Sequence, residues 1–206
     1  MITAHQLSTV ERAKYAQMWQ RTEYTVTSPG LNAVEWLLKE WPIALRCGDV
    51  VLDVGCGEGR AAADWLKRGY RVICVDHCLD ALNASDIAVP VNDRVESCIW
   101  HDWPRLVPTR TFRLATLAYC VDVLEHLPET FVMLAVQRML DAAHNVFIQV
   151  AHFKDEVHGA MIGETLHLTV KPFEWWRDRL ADLGNAELVE ARDCLERSSF
   201  LLRRLS

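Results

Sequence analysis

The chain has 206 residues, enough for one sizeable core and marginal for two domains. Half of the residues are apolar and the formal net charge is −6, which argues against a disordered chain and against a general polyanion binder. The seven cysteines are odd in number, lie mostly in apolar runs and form no C-x-x-C pair, so no metal site is expected and a reducing cytoplasm fits best. Cys74 and Cys78 flank His77, and this small cluster is read as packing. The first residues, "MITAHQLSTVERAKYAQ", have no apolar core like that of a signal peptide. No uncharged apolar run approaches the ~20 residues that a membrane span needs.

In chain order, Thr9 to about Gln20 is charged and mixed, as in a surface helix. "TSPGLNAVEWLLKEW" predicts a capped helix, with Ser28 as cap, Pro29 in the first turn and Ala33, Leu37 and Trp41 on one face. Strands and helices then alternate. "DVVLDV" is a buried strand of consecutive, mostly β-branched residues, and "GRAAADWLKRGY" a helix ending near a glycine. "RVICVD" is a second strand and "HCLDALNAS" a short helix. "ESCIW" is expected as the third strand, before the loop "HDWPRLVPT", and "FRLATLAYC" as the fourth. A helical stretch broken by one proline follows from Asp122, and "NVFIQVA" is the fifth strand. "HFKDEVHGAMIGETLHLTV" is a long connection without clear period. The last helix, "KPFEWWRDRLADLG", precedes two strands, "AELVEA" and "SSFLLRRL".

This alternation argues for a parallel sheet with helices on both faces. Ligands of open sheets lie beyond the carboxyl ends of the strands, at the topological switch point. That places Asp53–Gly59, Asp76–His77, His101–Trp103, Cys120–Glu125 and Ala151–His152 around one crevice. The loop "VLDVGCGEGR" leaves a strand and opens a helix with three alternating glycines, which spend backbone entropy unless the chain turns sharply or something approaches closely. A dinucleotide fingerprint would need glycine or alanine where Arg60 stands, and the G-K-[ST] of a phosphate-binding loop is absent.

"VLDVGCGEGR" resembles the first motif of the class I S-adenosylmethionine-dependent methyltransferases. The resemblance implies that Asp53, Gly55, Cys56, Gly57 and Gly59 lie against the methionine part of the cofactor. Asp76, at the end of "RVICVD", matches the carboxylate that accepts the ribose hydroxyls, with His77 beside it. In "WHDWP", Asp102 matches the position that binds the adenine amino group, with His101 or Trp103 over the ring. "YCVDVLEHLP" resembles the fourth-strand motif, so Cys120 and Val121 would flank the methionine side. The family fold is Rossmann-like and doubly wound: a mostly parallel seven-stranded sheet with a C-terminal antiparallel hairpin. Residues 1–206 are then one methyltransferase domain, with an N-terminal helical segment (1–48) and a cofactor-binding core (49–206). Residues 1–41 carry no motif of the family, although "YTVTSPG" would be placed to fold over the cofactor.

A hydroxyl or ammonium acceptor must lose its proton, which calls for a general base. Histidine suits that task at neutral pH. His152, directly after the fifth strand, and His167, late in the long connection, are expected to face the substrate; His126, Asp122 and Glu125 are further candidates. The fourth-strand motif is not the [DNS]-P-P-[YFW] of enzymes that methylate base amino groups, and no proline is followed by cysteine. A small molecule methylated on oxygen or nitrogen is therefore favoured over nucleic acid. A nucleic-acid-modifying enzyme, a non-catalytic subunit of the same fold and an aminopropyl transferase stay open as alternatives.

Overall fold

The computed structural model describes residues 4–21, 24, 30–41, 43–97, 99 and 115–205. Seven strands form one sheet in the order β3-β2-β1-β4-β5-β7-β6. The strands are β1 (Val50–Val54), β2 (Arg71–Asp76), β3 (Arg94–Glu96), β4 (Ala115–Val121), β5 (Ala143–Ala151), β6 (Ala186–Cys194) and β7 (Arg197–Arg204). The helices are α1 (Ala4–Met18), α2 (Gly30–Glu40), α3 (Arg60–Lys67), α4 (Asp80–Ala84), α5 (Glu129–Ala142) and α6 (Phe173–Ala181). The first five strands pair in parallel, whereas β7 lies antiparallel between β5 and β6. This is the predicted mostly parallel sheet with its closing hairpin.

The apolar residues divide between the two faces of the sheet. On one face, Val132, Val136 and Met139 of α5 and Trp176 and Leu180 of α6 pack against β4 and β5. On the other, Val34, Leu37 and Trp41 join Ala62 and Trp65 of α3 and Leu82 of α4. Trp65 and Trp176 are wholly buried, and truncating either to alanine should cost about 3–5 kcal/mol. The crossing from β3 back to β4 reverses the direction of winding. The switch point therefore lies between the carboxyl ends of β1 and β4, whose residues Val54 and Cys120 are register partners.

Three expectations are corrected. The third strand is Arg94–Glu96, earlier than "ESCIW": it pairs with Cys74–Asp76, and Ile99 is already in a turn. The helix after β4 begins as a single 3₁₀ turn, Leu124–His126, and α5 starts only after Pro128. The first helix is not a plain surface helix, because Ser8, Glu11, Lys14 and Met18 on one face are buried. Polar groups can be buried there because each has a partner. Lys14 pairs with Glu11 and donates to the Thr165 carbonyl at 3.3 Å, and Ser8 Oγ lies 3.0 Å from His77 Nε2. The expected cap residues Ser28 and Pro29 lie outside the described residues.

Candidate functional site

The glycine loop leaves β1 at its carboxyl end. Gly55 and Gly57 have φ of +75° and +52°, in the left-handed region. A Cβ added at Gly55 would lie 2.2 Å from the Val123 side chain, and one at Gly57 would lie 2.5 Å from the Trp19 ring. Only glycine lets the loop pass between the β4 end and the last residues of the N-terminal helical segment. Asp76, at the end of β2, ties the loop down. Its Oδ2 accepts the Gly57 N–H at 2.8 Å and its Oδ1 accepts the Cys78 N–H at 2.8 Å. Each oxygen keeps acceptor capacity for a further donor.

Asp76 lines a cavity of about 110 Å³ together with Gly55, Ser97, Ile99, Tyr15 and Trp19. Burial raises its pKa to about 6 against the three backbone N–H bonds that favour the anion. Asp53 is buried beneath the loop, and its Oδ2 has no hydrogen-bond partner among the described residues. Burial, and then the charge of Asp76, raise the Asp53 pKa to about 7. Two carboxylates so close gain from a cationic or hydroxyl-bearing ligand.

A second cavity, about 480 Å³, adjoins the first and shares Trp19, Tyr24, Gly55, Asp122 and His126 with it. Phe153, Asp155, His158, His167 and Arg197 line its outer part. Arg197, the first residue of β7, donates to both carboxylate oxygens of Asp122 at 3.0–3.3 Å. Asp122 itself has φ of 51°, a conformation that aspartate tolerates better than most side chains. Thr169 fastens the connection before α6 to the 3₁₀ turn: its N–H donates to the Glu125 carbonyl (2.8 Å) and its hydroxyl to the Leu127 carbonyl (2.6 Å). This clasp brings His167 against His126, with ring centroids 4.8 Å apart at 81°. His126 Nδ1 lies 2.7 Å from the Tyr15 hydroxyl and 3.1 Å from the Leu166 carbonyl. Burial, and then the neighbouring His167, lower the His126 pKa to about 3. Behind them Glu125 is fully buried, and burial and the charge of Asp122 raise its pKa.

The predicted residues thus fall into groups. Asp53, Gly55, Gly57, Asp76 and His77 gather at the glycine-loop end, and Val121, His126 and His167 at the second cavity. Cys56 and Cys120 are buried and pack in the two cores, and Gly59 is the turn before α3. His101, Asp102 and Trp103 lie outside the described residues. His152 does not face the crevice. Its ring bonds to Ser198 Oγ and the Leu195 carbonyl, and it lines a separate surface hollow with Lys171 and Asp193. The residue after a buried strand need not point along it, and here the β6–β7 hairpin captures the ring. Sequence reasoning missed Tyr15, Trp19 and Arg197. The first two carry an aromatic signal at i, i+4 on α1 and its extension, but a mixed, charged helix hides it.

A sequence model described as a methyltransferase domain matches residues 52–148. That stretch runs from β1 to β5 and contains the glycine loop, Asp76 and the fourth-strand motif. Residues 52–148 carry the sequence pattern of a methyltransferase domain. No curated protein matches the sequence. Among solved structures, an O-methyltransferase family protein from Burkholderia thailandensis is 17% identical, with a TM-score of 0.65. That match covers 100% of this chain but only 64% of the other protein. The 1,6-didemethyltoxoflavin-N1-methyltransferase of the same organism is 16% identical over 100% of this chain and 92% of its own, with a TM-score of 0.67. Magnesium protoporphyrin IX methyltransferase from Synechocystis PCC 6803 is 13% identical over 96% of both chains, with a TM-score of 0.63. At these identities the structural likeness establishes the shared methyltransferase fold. Among the described residues no helix is long and apolar enough to cross a membrane.

Proposed function

We propose that this methyltransferase uses S-adenosylmethionine to methylate an oxygen or nitrogen of a small molecule. The observation that carries the reading is the Asp76 carboxylate, fixed by two backbone N–H groups at the rim of a cavity over the glycine loop. Two ribose hydroxyls are donors that suit its two oxygens, and the orphan Oδ2 of Asp53 suits an ammonium group on the amino-acid side. Gly55, Gly57 and Gly59 let the backbone come close, with Cys56, His77, Cys120 and Val121 around them; Asp102, His101 and Trp103 are assigned to the adenine on the family resemblance. The cofactor, when bound, supplies an activated sulfonium methyl group. The chain's own residues orient the acceptor, exclude water and handle its proton.

The second cavity is where an acceptor fits, since it opens from Gly55 and Val121 towards solvent. Its lining mixes Phe153 with Asp155, His158 and Arg197, which suits a compact polar or aromatic molecule. The His126–His167 pair stands where the acceptor loses its proton; His152, turned into the hairpin, is a weaker candidate for that place. One solved relative is named with bound 1,6-didemethyltoxoflavin, a small molecule, which supports the reading. We take residues 1–206 as one domain acting in the cytoplasm, where buried thiols such as Cys56, Cys74 and Cys120 stay reduced. Calorimetric titration with S-adenosylhomocysteine, with NAD as the comparison, tests the reading. Micromolar binding of the first alone supports it; no binding sinks it and brings forward a non-catalytic subunit.

A further inference from the structure

We propose that Glu125, His126 and His167 hold a divalent transition-metal ion at the acceptor end of the site. This rests on the methyl-transfer reading and gives its second cavity a specific chemistry. One donor atom from each of the three residues lies within 4.8 Å of the other two. The three approach from two segments: Glu125 and His126 sit in one 3₁₀ turn, and His167 is held against it by the Thr169 clasp.

The hydrogen bonds around the cluster leave the right atoms spare. His167 Nδ1 donates to the Phe153 carbonyl at 2.6 Å. His126 Nδ1 meets the Leu166 carbonyl at 3.1 Å, which can only accept, and the Tyr15 hydroxyl at 2.7 Å, whose oxygen can accept as well. With Nδ1–H committed in each ring, each Nε2 carries a lone pair. Backbone carbonyls commonly orient metal-binding imidazoles in this way. Glu125 Oε1 accepts the Ala151 N–H at 2.8 Å, while its Oε2, fully buried, has no hydrogen-bond partner among the described residues. A carboxylate oxygen buried without a donor is costly unless something cationic meets it. Two imidazoles and one carboxylate suit Zn²⁺, Mn²⁺, Fe²⁺ or Co²⁺, and they leave coordination positions open, as catalytic metal sites do.

The open positions face the second cavity, because His126 and His167 both line it. An acceptor hydroxyl entering there can bind the ion, which lowers its pKa as it does that of bound water. The acceptor then loses its proton to solvent. Its oxygen lone pair forms the new bond to the methyl carbon as the carbon–sulfur bond breaks, the bonding pair going to sulfur. The products are a methyl ether, S-adenosylhomocysteine and one proton. An acceptor with a second oxygen beside the hydroxyl would chelate the ion, so the site selects hydroxylated substrates with a neighbouring donor.

The test uses the full chain, stripped with a chelator and titrated with Co²⁺ under visible absorption and with Mn²⁺ by calorimetry. S-adenosylhomocysteine is titrated in parallel. The expected result is one equivalent of metal, with affinity lowered roughly tenfold or more in both His167→Ala and Glu125→Gln. Glu125→Gln keeps the acceptor for Ala151 N–H, and retention of S-adenosylhomocysteine binding certifies that each variant is folded. Metal binding equal in wild type and both variants overturns the site and points to other ligands such as the exposed Cys47 and Cys194. No metal binding with intact S-adenosylhomocysteine binding overturns the metal alone. Loss of both in the wild type overturns the methyl-transfer reading as well.

Discussion

The two ends of the site are built by different means. At the glycine-loop end, the groups that would hold a ligand come from two adjacent parallel strands, and backbone N–H groups fix the Asp76 carboxylate at the cavity. At the acceptor end, the residues after α1 (Trp19 and Tyr24), the 3₁₀ turn and the start of β7 each contribute one or two side chains, and the connection before α6 contributes a longer run, Phe153 to His158 with Leu166 and His167. The first end is a local motif and depends on backbone conformation. The second is a convergence of distant segments and depends on the clasps between them. Substitutions should therefore separate the two ends, with binding lost at one and turnover lost at the other.

The largest effect is expected at Asp76. Asp76→Ala removes the proposed acceptors of two ribose hydroxyls and the anchor of Gly57 and Cys78. Charge-assisted bonds are worth roughly 1.5–3 kcal/mol each, so S-adenosylhomocysteine affinity should fall about 10²-fold or more. Calorimetry gives the answer directly, and an affinity within a factor of about two, with the fold intact by circular dichroism, would remove the ribose assignment. His167→Ala should behave in the opposite way. It lowers turnover by roughly 10²-fold, the usual scale where the acceptor's loss of a proton is no longer assisted, and leaves S-adenosylhomocysteine affinity nearly unchanged. An equal loss of affinity would mean that the two ends are not independent.

How far each end was legible in the sequence follows from the same contrast. Consecutive β-branched runs and the glycine spacing disclose β1, β2 and the loop, because a buried parallel strand and a left-handed turn restrict residue choice over a few neighbouring positions. The third strand was placed too late, since three residues with little apolar content, Arg94–Glu96, are too short for any period to register. Tyr15, Trp19 and Arg197 escaped because their significance is set by tertiary contacts. Trp19 matters only because Gly57 lies under its ring, and Arg197 only because Asp122 turns back towards it at a positive φ. His152 misled for the same reason: strand periodicity gives its position but not the hairpin hydrogen bonds that take its ring.

A smaller effect, on pH, sharpens the description of the glycine-loop end. Asp53 and Asp76 have folded pKa values of about 7 and about 6, against 3.8 for the free group. The folded chain therefore binds more protons than the unfolded chain between about pH 4 and 7. Without ligand, these two groups make stability fall as pH rises through that window and then level off. A ligand that brings an ammonium and two hydroxyl donors needs both groups ionised. Affinity for S-adenosylhomocysteine should accordingly rise over the same window, approaching about tenfold per pH unit for each group still protonated. Calorimetry at pH 5.5, 6.5 and 7.5 checks the slope, and a flat profile would show that the carboxylates are ionised throughout or do not touch the ligand.

The smallest effect is expected at His152, and it is the sharpest check on where the acceptor end stops. The ring bonds to Ser198 Oγ and the Leu195 carbonyl, and its Nδ1 lies 3.7 Å from Asp193 across the hairpin. Those contacts join the end of β5 to the β6–β7 turn, a region with Leu195 wholly exposed at its tip. His152→Ala removes neutral hydrogen bonds of about 0.5–1.5 kcal/mol each, so a modest fall in melting temperature is the expected cost. Turnover and S-adenosylhomocysteine affinity should both stay within a factor of about two, because the ring reaches neither cavity of the site. If turnover instead collapses while affinity and melting temperature hold, the hairpin must release the ring during catalysis. The acceptor end would then extend to β5, and His152 would join His126 and His167 there.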